Sequence, residues 1–268
     1  MSETIWVNKL PTRTWNRLGV NEAPLLWDED RTYDLGETTV AAGEEPVRLD
    51  IAGQGNYSRQ SVHIDAPENA RIDVFETLRP EGRLHLRTSI RAGKSAHVRL
   101  VQLYTGKAGA LLRSEIEGTC AENARIELIQ ILPGRGDVYS DARIDLNGDG
   151  ASFSARKVFR GTIDFKTGSA GSVGSEKETV LMLGENAVNK TVPLILCAEE
   201  NVEGNHGATI GEMDDETAFY FESRGINRRE PALPRRHRAP CPPCGRRAAR
   251  TDRAECAGRG GVRHEPLR

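Results

Sequence analysis

The chain has 268 residues, enough for one large domain or two small ones and for a substantial hydrophobic core. Its hydrophobic fraction is 37 %, its mean hydropathy −0.53 and its net charge −2, values that exclude a chain disordered throughout. Because no apolar run approaches the roughly 20 residues of a membrane span and no signal peptide is predicted, we expect a cytoplasmic protein without a membrane contact.

Residues 1–45 are predicted to form a mixed N-terminal segment. The segment contains Trp6, Trp15 and Trp27 and a short helical pattern over Thr14–Leu18, interrupted by Pro and Gly. The tryptophans are interpreted as side chains that cap a core, because nothing around them indicates a binding site.

Residues 46–226 are predicted to form an all-β core. Short runs such as "VRLDIAG", "ARIDVFETL" and "ARIELIQIL" alternate apolar and polar residues, which is typical of half-buried strands. A weak repeat begins at Asn69, Ser95, Asn123 and Gly150, with spacings of 26, 28 and 27 residues. A fixed period with several strands and no helix favours a β-solenoid. A β-sandwich is the alternative.

The stretch "MDDETAFYFESR", Met213–Arg224, is predicted to be a short helix. Acidic residues open it, an apolar stripe follows, and an arginine precedes the glycine that ends it. Such a helix would cap the exposed edge of the last coil.

Residues 227–268 differ from the rest in composition. Twelve Arg and no Lys stand against four acidic residues, a net charge of +8, so the preceding 226 residues carry −10. Arg, Pro, Ala and Gly supply 28 of these 42 residues, and no aromatic residue is present. This composition predicts a disordered tail, or a tail created by a reading-frame change in a GC-rich gene. Nucleic-acid binding is not expected without aromatic residues for stacking.

The same tail contains Cys241, Cys244, Cys256 and His264, which superficially resemble a zinc site. Proline fills both positions between the first two cysteines, and the surroundings lack apolar residues. We therefore do not expect a metal site here. Five cysteines, an odd number, also do not match a secreted disulfide framework.

Cys197 and His206 are the candidate site residues of the core. Cys120 is interpreted as an ordinary buried cysteine, since a lone cysteine usually behaves as a small hydrophobe. Cys197 and His206 lie nine positions apart and combine a thiol with an imidazole, the ligand types of iron–sulfur and zinc chemistry. Two ligands leave a four-coordinate site incomplete, so further ligands must come from another chain, a substrate or a small thiol.

At this point the sequence resembles a known family. "NHGATIGEMDDETAFYFESRGI" resembles the C-terminal signature of the SufB/SufD iron–sulfur assembly proteins. "RKVFRGTIDF" resembles the "FRG" strand of that family, and "LPTRTWNRLGVNE" resembles its N-terminal entry. The resemblance covers roughly residues 1–226.

The resemblance implies a right-handed parallel β-helix that serves as a scaffold, not as an enzyme. Family members work with the ATPase SufC, build a transient iron–sulfur cluster with a sulfur donor, and pass it to apoproteins. The chain itself has no phosphate-binding Gly-Lys-Ser/Thr loop. A flavin is possible in such a system, but no motif here supports one. The segment that contacts the ATPase follows "RGI", where this chain carries its Arg-rich tail.

The resemblance also assigns roles to single residues. His206 matches the signature histidine of both subfamilies, implicated in cluster formation at the subunit interface. Cys197 matches the acceptor cysteine of SufB-like members, while Gly207 matches SufD-like members. This mixture favours a reduced form that pairs with a second copy of itself or with a paralogue. In a symmetric dimer, both copies together would supply four ligands.

Two other functions remain open from the residues alone. A β-solenoid carbohydrate-active enzyme could use the acidic pair Asp214–Asp215, although aromatic residues for sugar stacking are few. A basic-tailed nucleic-acid-binding protein would show a steep salt dependence of affinity.

Overall fold

The computed structural model describes residues 2–12, 21–43, 45–133, 135–156, 160–182 and 189–212, with residues 216, 219, 220, 223 and 224. The chain divides into two compact units, Met1–Pro231 and Ala232–Arg268. The second unit lies outside the described residues, and so do the cysteines and the histidine of the tail. The expectation of a disordered or frameshifted tail therefore stays a prediction.

An antiparallel hairpin of β1 (Glu3–Val7) and β2 (Ala23–Trp27) opens the fold. Trp27 is buried in a small core of its own and meets the ring of Tyr57 edge to face, with ring centroids 5.3 Å apart. Trp27 thus has the core role predicted for it. Trp6 is half exposed, whereas Trp15 and the helical pattern around it lie outside the described residues.

The other fourteen strands of the described residues alternate between two parallel sheets of seven strands each. The odd sheet contains β3 (Thr32–Ala41), β5 (Tyr57–Ala66), β7 (Arg83–Ala92), β9 (Leu111–Cys120), β11 (Asp137–Leu146), β13 (Arg160–Phe165) and β15 (Val192–Cys197). The even sheet contains β4 (Val47–Ala52), β6 (Arg71–Arg79), β8 (His97–Tyr104), β10 (Arg125–Ile131), β12 (Ser152–Arg156), β14 (Val173–Met182) and β16 (Glu203–Glu212).

This strand order is that of a parallel β-solenoid of about six turns, in which each turn adds one strand to each sheet. The predicted all-β, parallel solenoid is confirmed, and the alternative of an antiparallel sandwich is wrong. The right-handed winding stays a prediction. The strand β3 already pairs with β5 in the odd sheet, so the first coil begins within the N-terminal 45 residues.

The sequence repeat has a backbone explanation. Asn69, Ser95, Asn123 and Gly150 all adopt positive φ, at 59°, 56°, 56° and 65°. Each of them lies two residues before the start of a strand of the even sheet. Its backbone N–H donates to a carbonyl oxygen of the following coil, as the N–H of Asn69 does to the carbonyl of Lys94 at 2.9 Å. Asn and Gly tolerate this left-handed conformation best, which accounts for three of the four residues. The period of about 27 residues is therefore the length of one coil.

The inside of the solenoid is mainly aliphatic but includes a polar column in the even sheet. Glu76, Gln102 and Gln130 occupy equivalent positions on β6, β8 and β10. Gln102 Nε2 donates to Glu76 Oε2 at 2.8 Å, and Gln130 Nε2 donates to Gln102 Oε1 at 2.8 Å. Burial raises the pKa of Glu76 to about 7, and the bond from Gln102 opposes that rise.

The predicted capping helix falls mostly outside the described residues. Glu216, Phe219, Tyr220 and Ser223 have helical backbone, but no bounded helix is described, so the cap stays a prediction. In the part of the chain that is described, no helix is long and apolar enough to cross a membrane.

Candidate functional site at the last coil

The last strands of the two sheets carry the two candidate residues. β15 is the terminal strand of the odd sheet and ends at Cys197, whereas β16 is the terminal strand of the even sheet and contains His206. Within the described ranges, no further strand pairs with either of them. Their outer edges therefore present backbone groups without a strand partner, which is the usual template for pairing with another chain.

Cys197 belongs to a ladder of inward-facing residues that we call the cysteine column. The parallel register stacks one residue from each strand of the odd sheet from β5 to β15, namely Ala66, Ala92, Cys120, Leu146, Phe165 and Cys197. The first five are buried in the core, and only Cys197 is exposed. It is exposed because no further coil covers it among the described residues.

His206 ends the corresponding ladder of the even sheet, the histidine column. Its members on β6 to β16 are Val74, Leu100, Leu128, Ala155, Glu176 and His206. The four apolar members are fully buried. His206 therefore lies on a core-facing position, yet it is exposed at the open end.

The two candidates do not meet within one copy of the chain. The carboxyl of Glu176, the residue below His206, lies against Gly161, and Gly161 pairs with Pro193. His206 is therefore opposite the Pro193 end of β15. Cys197 is four residues further along that strand, a displacement of about 13 Å. Among the described residues, no three or more His, Cys, Asp and Glu side chains are grouped as a metal site.

The thiol of Cys197 is held at the start of the turn that joins β15 to β16. Its Sγ donates to the carbonyl of Glu199 at 2.9 Å. The carboxylate of Glu199 accepts the N–H groups of Gly168 and Glu200 at 3.0 and 3.1 Å. These bonds lower the pKa of Glu199 and tie the turn to the coil below.

Cys120 lies in the same column as Cys197, but in the middle of the stack. It is fully buried, and burial raises its pKa to about 12. The thiolate is the nucleophilic and metal-binding form of cysteine, so Cys120 is inert. The structural role predicted for Cys120 is confirmed.

Glu176 is an unusual residue that the sequence reasoning missed. Its side chain is buried, its Oε1 atom has no hydrogen-bond partner, and burial raises its pKa to about 8. A Cβ atom on Gly161 would collide with this carboxyl, so glycine in "FRG" leaves the space that Glu176 fills. The sequence "VGSEKETV" offers no signal for this, because charged residues occur on both faces of the strand.

Comparison with known proteins now adds to this geometry. The model of a family described as "SUF system FeS cluster assembly, SufBD core domain" matches residues 49–155 and 152–232. The two matches cover more than half of the chain. The chain belongs to the SufBD family.

Three curated SufBD relatives illustrate the likeness. The iron–sulfur cluster assembly protein SufD of Escherichia coli is 35 % identical over 79 residues, which are 30 % of this chain and 19 % of that protein. SufD of Bacillus subtilis is 32 % identical over 77 residues, 29 % of this chain and 18 % of that protein. An iron–sulfur cluster assembly SufBD family protein of Synechocystis is 27 % identical over 175 residues, which are 60 % of this chain and 38 % of that protein. The chain thus spans less than two-fifths of each of these relatives.

Cys241, Cys244, Cys256 and His264 lie outside the described residues, and so does the pair Asp214–Asp215. Of the quoted SufBD signature, Phe219 and Tyr220 are exposed, and the guanidinium of Arg224 lies 4.9 Å from the centre of the Tyr220 ring.

Proposed function

We propose that the chain is a scaffold subunit of a SUF-type iron–sulfur assembly complex, in which Cys197 and His206 bind the iron of the nascent cluster. The observation that carries the proposal is that both residues end core-facing columns at the open edge of a SufBD core. A thiol and an imidazole there are accessible to iron and sulfide, yet stand on the rigid scaffold that a precise site requires.

We further infer that the complete site forms between two chains. One copy keeps Cys197 and His206 apart, and its two edge strands can pair with the edge strands of a second copy or a paralogue. In a two-fold arrangement, each copy would contribute a thiol and an imidazole, giving the four ligands that one chain lacks. The cluster would be transient, as cargo that is released to apoproteins.

The remaining parts of the proposal come from the family. The three relatives are named as iron–sulfur cluster assembly proteins. A SufC-like ATPase would hydrolyse nucleotide, and a separate donor would deliver sulfur in the cytoplasm. The chain itself would be an assembly component instead of an enzyme. A flavin has no support in the described residues and forms no part of the proposal.

Anaerobic reconstitution of the full chain with ferrous iron and sulfide tests the ligands. The background should carry Cys241→Ser, Cys244→Ser and Cys256→Ser, so that the tail thiols cannot bind iron. We expect the visible absorption of the cluster to appear in this background. It should be lost in Cys197→Ala and in His206→Ala, because each removes one ligand type from every copy.

Matched controls make the test specific. Cys120→Ala removes the buried thiol at a position where the two preceding coils already carry alanine, at Ala66 and Ala92. His63→Ala removes a histidine that lies on the odd sheet away from the last coil and is in part exposed. Both controls should keep the absorption. An unchanged spectrum in Cys197→Ala and His206→Ala would exclude these residues as ligands.

A further inference from the structure

Glu176 presents a buried carboxyl with an unsatisfied oxygen one coil below His206. Its relative exposure is 7 %, and Oε1 has no hydrogen-bond partner. Buried polar atoms of native proteins almost always have a partner, so each exception calls for an explanation. Glu176 lies next to the open end of the stack, so we look there for the partner of its carboxyl.

Glu178 lies on the same strand and is also buried, yet its carboxyl accepts hydrogen bonds. Its exposure is 4 %, and its Oε1 accepts from Thr191 Oγ1 at 2.8 Å and from Asn189 Nδ2 at 3.3 Å, although its Oε2 has no hydrogen-bond partner. No side chain of this kind is described beside Glu176. The difference points to a partner that joins Glu176 only when the site is assembled.

The register identifies that partner. Glu176 and His206 are directly paired on β14 and β16, and both face the inside of the solenoid. Adjacent parallel strands are about 4.8 Å apart, so side chains at paired positions on one face are neighbours. A metal-binding histidine almost always donates its second ring N–H to a carboxylate, a carbonyl or water. Glu176 is the carboxylate at that position.

We propose that Glu176 is a positioning residue of the cluster site, whose carboxylate accepts the ring N–H of His206 when His206 binds iron. This inference rests on the proposed function, since it takes His206 as a ligand. The bond would fix the ring orientation and leave the other nitrogen free for the metal. Gly161 supports the arrangement, because any Cβ there would displace the carboxyl. A substitution of Gly161 should therefore disturb the site although that residue touches no metal.

Cobalt(II) is the probe for the test, because it replaces iron(II) at sites with thiolate and imidazole ligands and gives a thiolate charge-transfer band. The full chain, with the three tail cysteines replaced by serine, is titrated with cobalt(II) alone. We expect Glu176→Gln to weaken binding by about 10–100-fold, the usual effect of losing such a partner. Glu178→Gln, the matched control on the same strand, should bind within about twofold of the parent.

A double-mutant cycle separates positioning from general damage to the fold. In a His206→Ala background, Glu176→Gln should cause no further loss, because Glu176 acts through that histidine. The midpoint of thermal unfolding of Glu176→Gln should not fall, since glutamine has nearly the same shape and the change breaks no hydrogen bond described for Glu176. Equal weakening by Glu176→Gln and Glu178→Gln would overturn the proposal, and so would full binding by Glu176→Gln. If His206→Ala itself binds cobalt(II) like the parent, the proposed function fails instead.

Discussion

The centre of the solenoid and its last coil each place a cysteine in the same column, but in opposite states. Cys120 and Cys197 both belong to the cysteine column, yet the first is fully buried and the second is exposed. The difference is one of neighbours, because a central residue has a coil on both sides and a terminal residue has one.

This difference explains why a site can form at the end of a repetitive fold. Within the stack, each coil satisfies the backbone and covers the side chains of the next. At the last coil the same geometry leaves inward-facing side chains open. Reactive residue types there need no special loop or cleft to be accessible. The rigid coils beneath hold them in place, and a second chain can complete them.

The largest expected effect of this difference is in thiol reactivity. We expect a soluble alkylating reagent at neutral pH to label Cys197 about a thousandfold faster than Cys120, because Cys120 is buried and its pKa is raised to about 12. Peptide mapping by mass spectrometry follows each cysteine separately. In denaturant the two rates should become equal, and comparable rates in the native protein would contradict the burial of Cys120.

A smaller effect is expected in the packing of one column of isoleucines. Ile144 is fully buried in the centre, and Ile195 is the half-buried member of the same column on β15. Ile144→Ala should lower the free energy of unfolding by about 2–5 kcal/mol, and Ile195→Ala by about 1 kcal/mol, because the cost follows burial. Denaturant titrations at low protein concentration measure both.

The difference between Ile144→Ala and Ile195→Ala should depend on protein concentration. If a second copy covers the last coil, Ile195 becomes a central residue of a longer stack. The cost of Ile195→Ala should then rise with protein concentration, whereas that of Ile144→Ala stays constant. A cost of Ile195→Ala that does not change up to the highest soluble concentration would argue against pairing of two copies through this edge.

The alternation of apolar and polar residues and the repeat of about 27 residues made the solenoid predictable from the sequence. The arrangement of the side chains at the last coil was not predictable. The repeated starts at Asn69, Ser95, Asn123 and Gly150 mark a turn that must adopt positive φ, so they record the coil length directly. Cys197 and His206 were found from their chemistry and their resemblance to a family. Their placement on two separate columns depends on the register between strands far apart in sequence, which no local pattern specifies.

Glu176 illustrates the limit most clearly. A glutamate in a polar strand is predicted to face solvent, because charged residues are rarely buried. The strand β14 turns Glu176 and Glu178 inward, where the absence of a side chain at Gly161 makes room for the first. The packing of the Glu176 side chain against Gly161 involves two residues that are fifteen positions apart and lie on different sheets. Only the folded chain reveals it.

The smallest expected difference between two sites, about one pKa unit, concerns how stability depends on pH in the metal-free protein. Burial raises the pKa of Glu176 from 4.5 to about 8 and that of Glu76 from 4.5 to about 7. Between these values the unfolded chain has lost protons that the folded chain keeps, so the free energy of unfolding must fall as pH rises. The stabilisation is complete below about pH 4.5 and is lost as pH rises through about 7 for Glu76 and about 8 for Glu176.

Two single substitutions separate the contributions. Both Glu176→Gln and Glu76→Gln should flatten the decline of unfolding free energy between pH 5 and pH 8. Glu176→Gln should remove about 1 kcal/mol more of it, because the folded pKa of Glu176 is about one unit higher. Denaturant titrations across this range measure the decline. If Glu76→Gln flattens it more, Glu176 is better solvated than Glu76 in the metal-free protein, and the expected order of their two pKa values would be wrong.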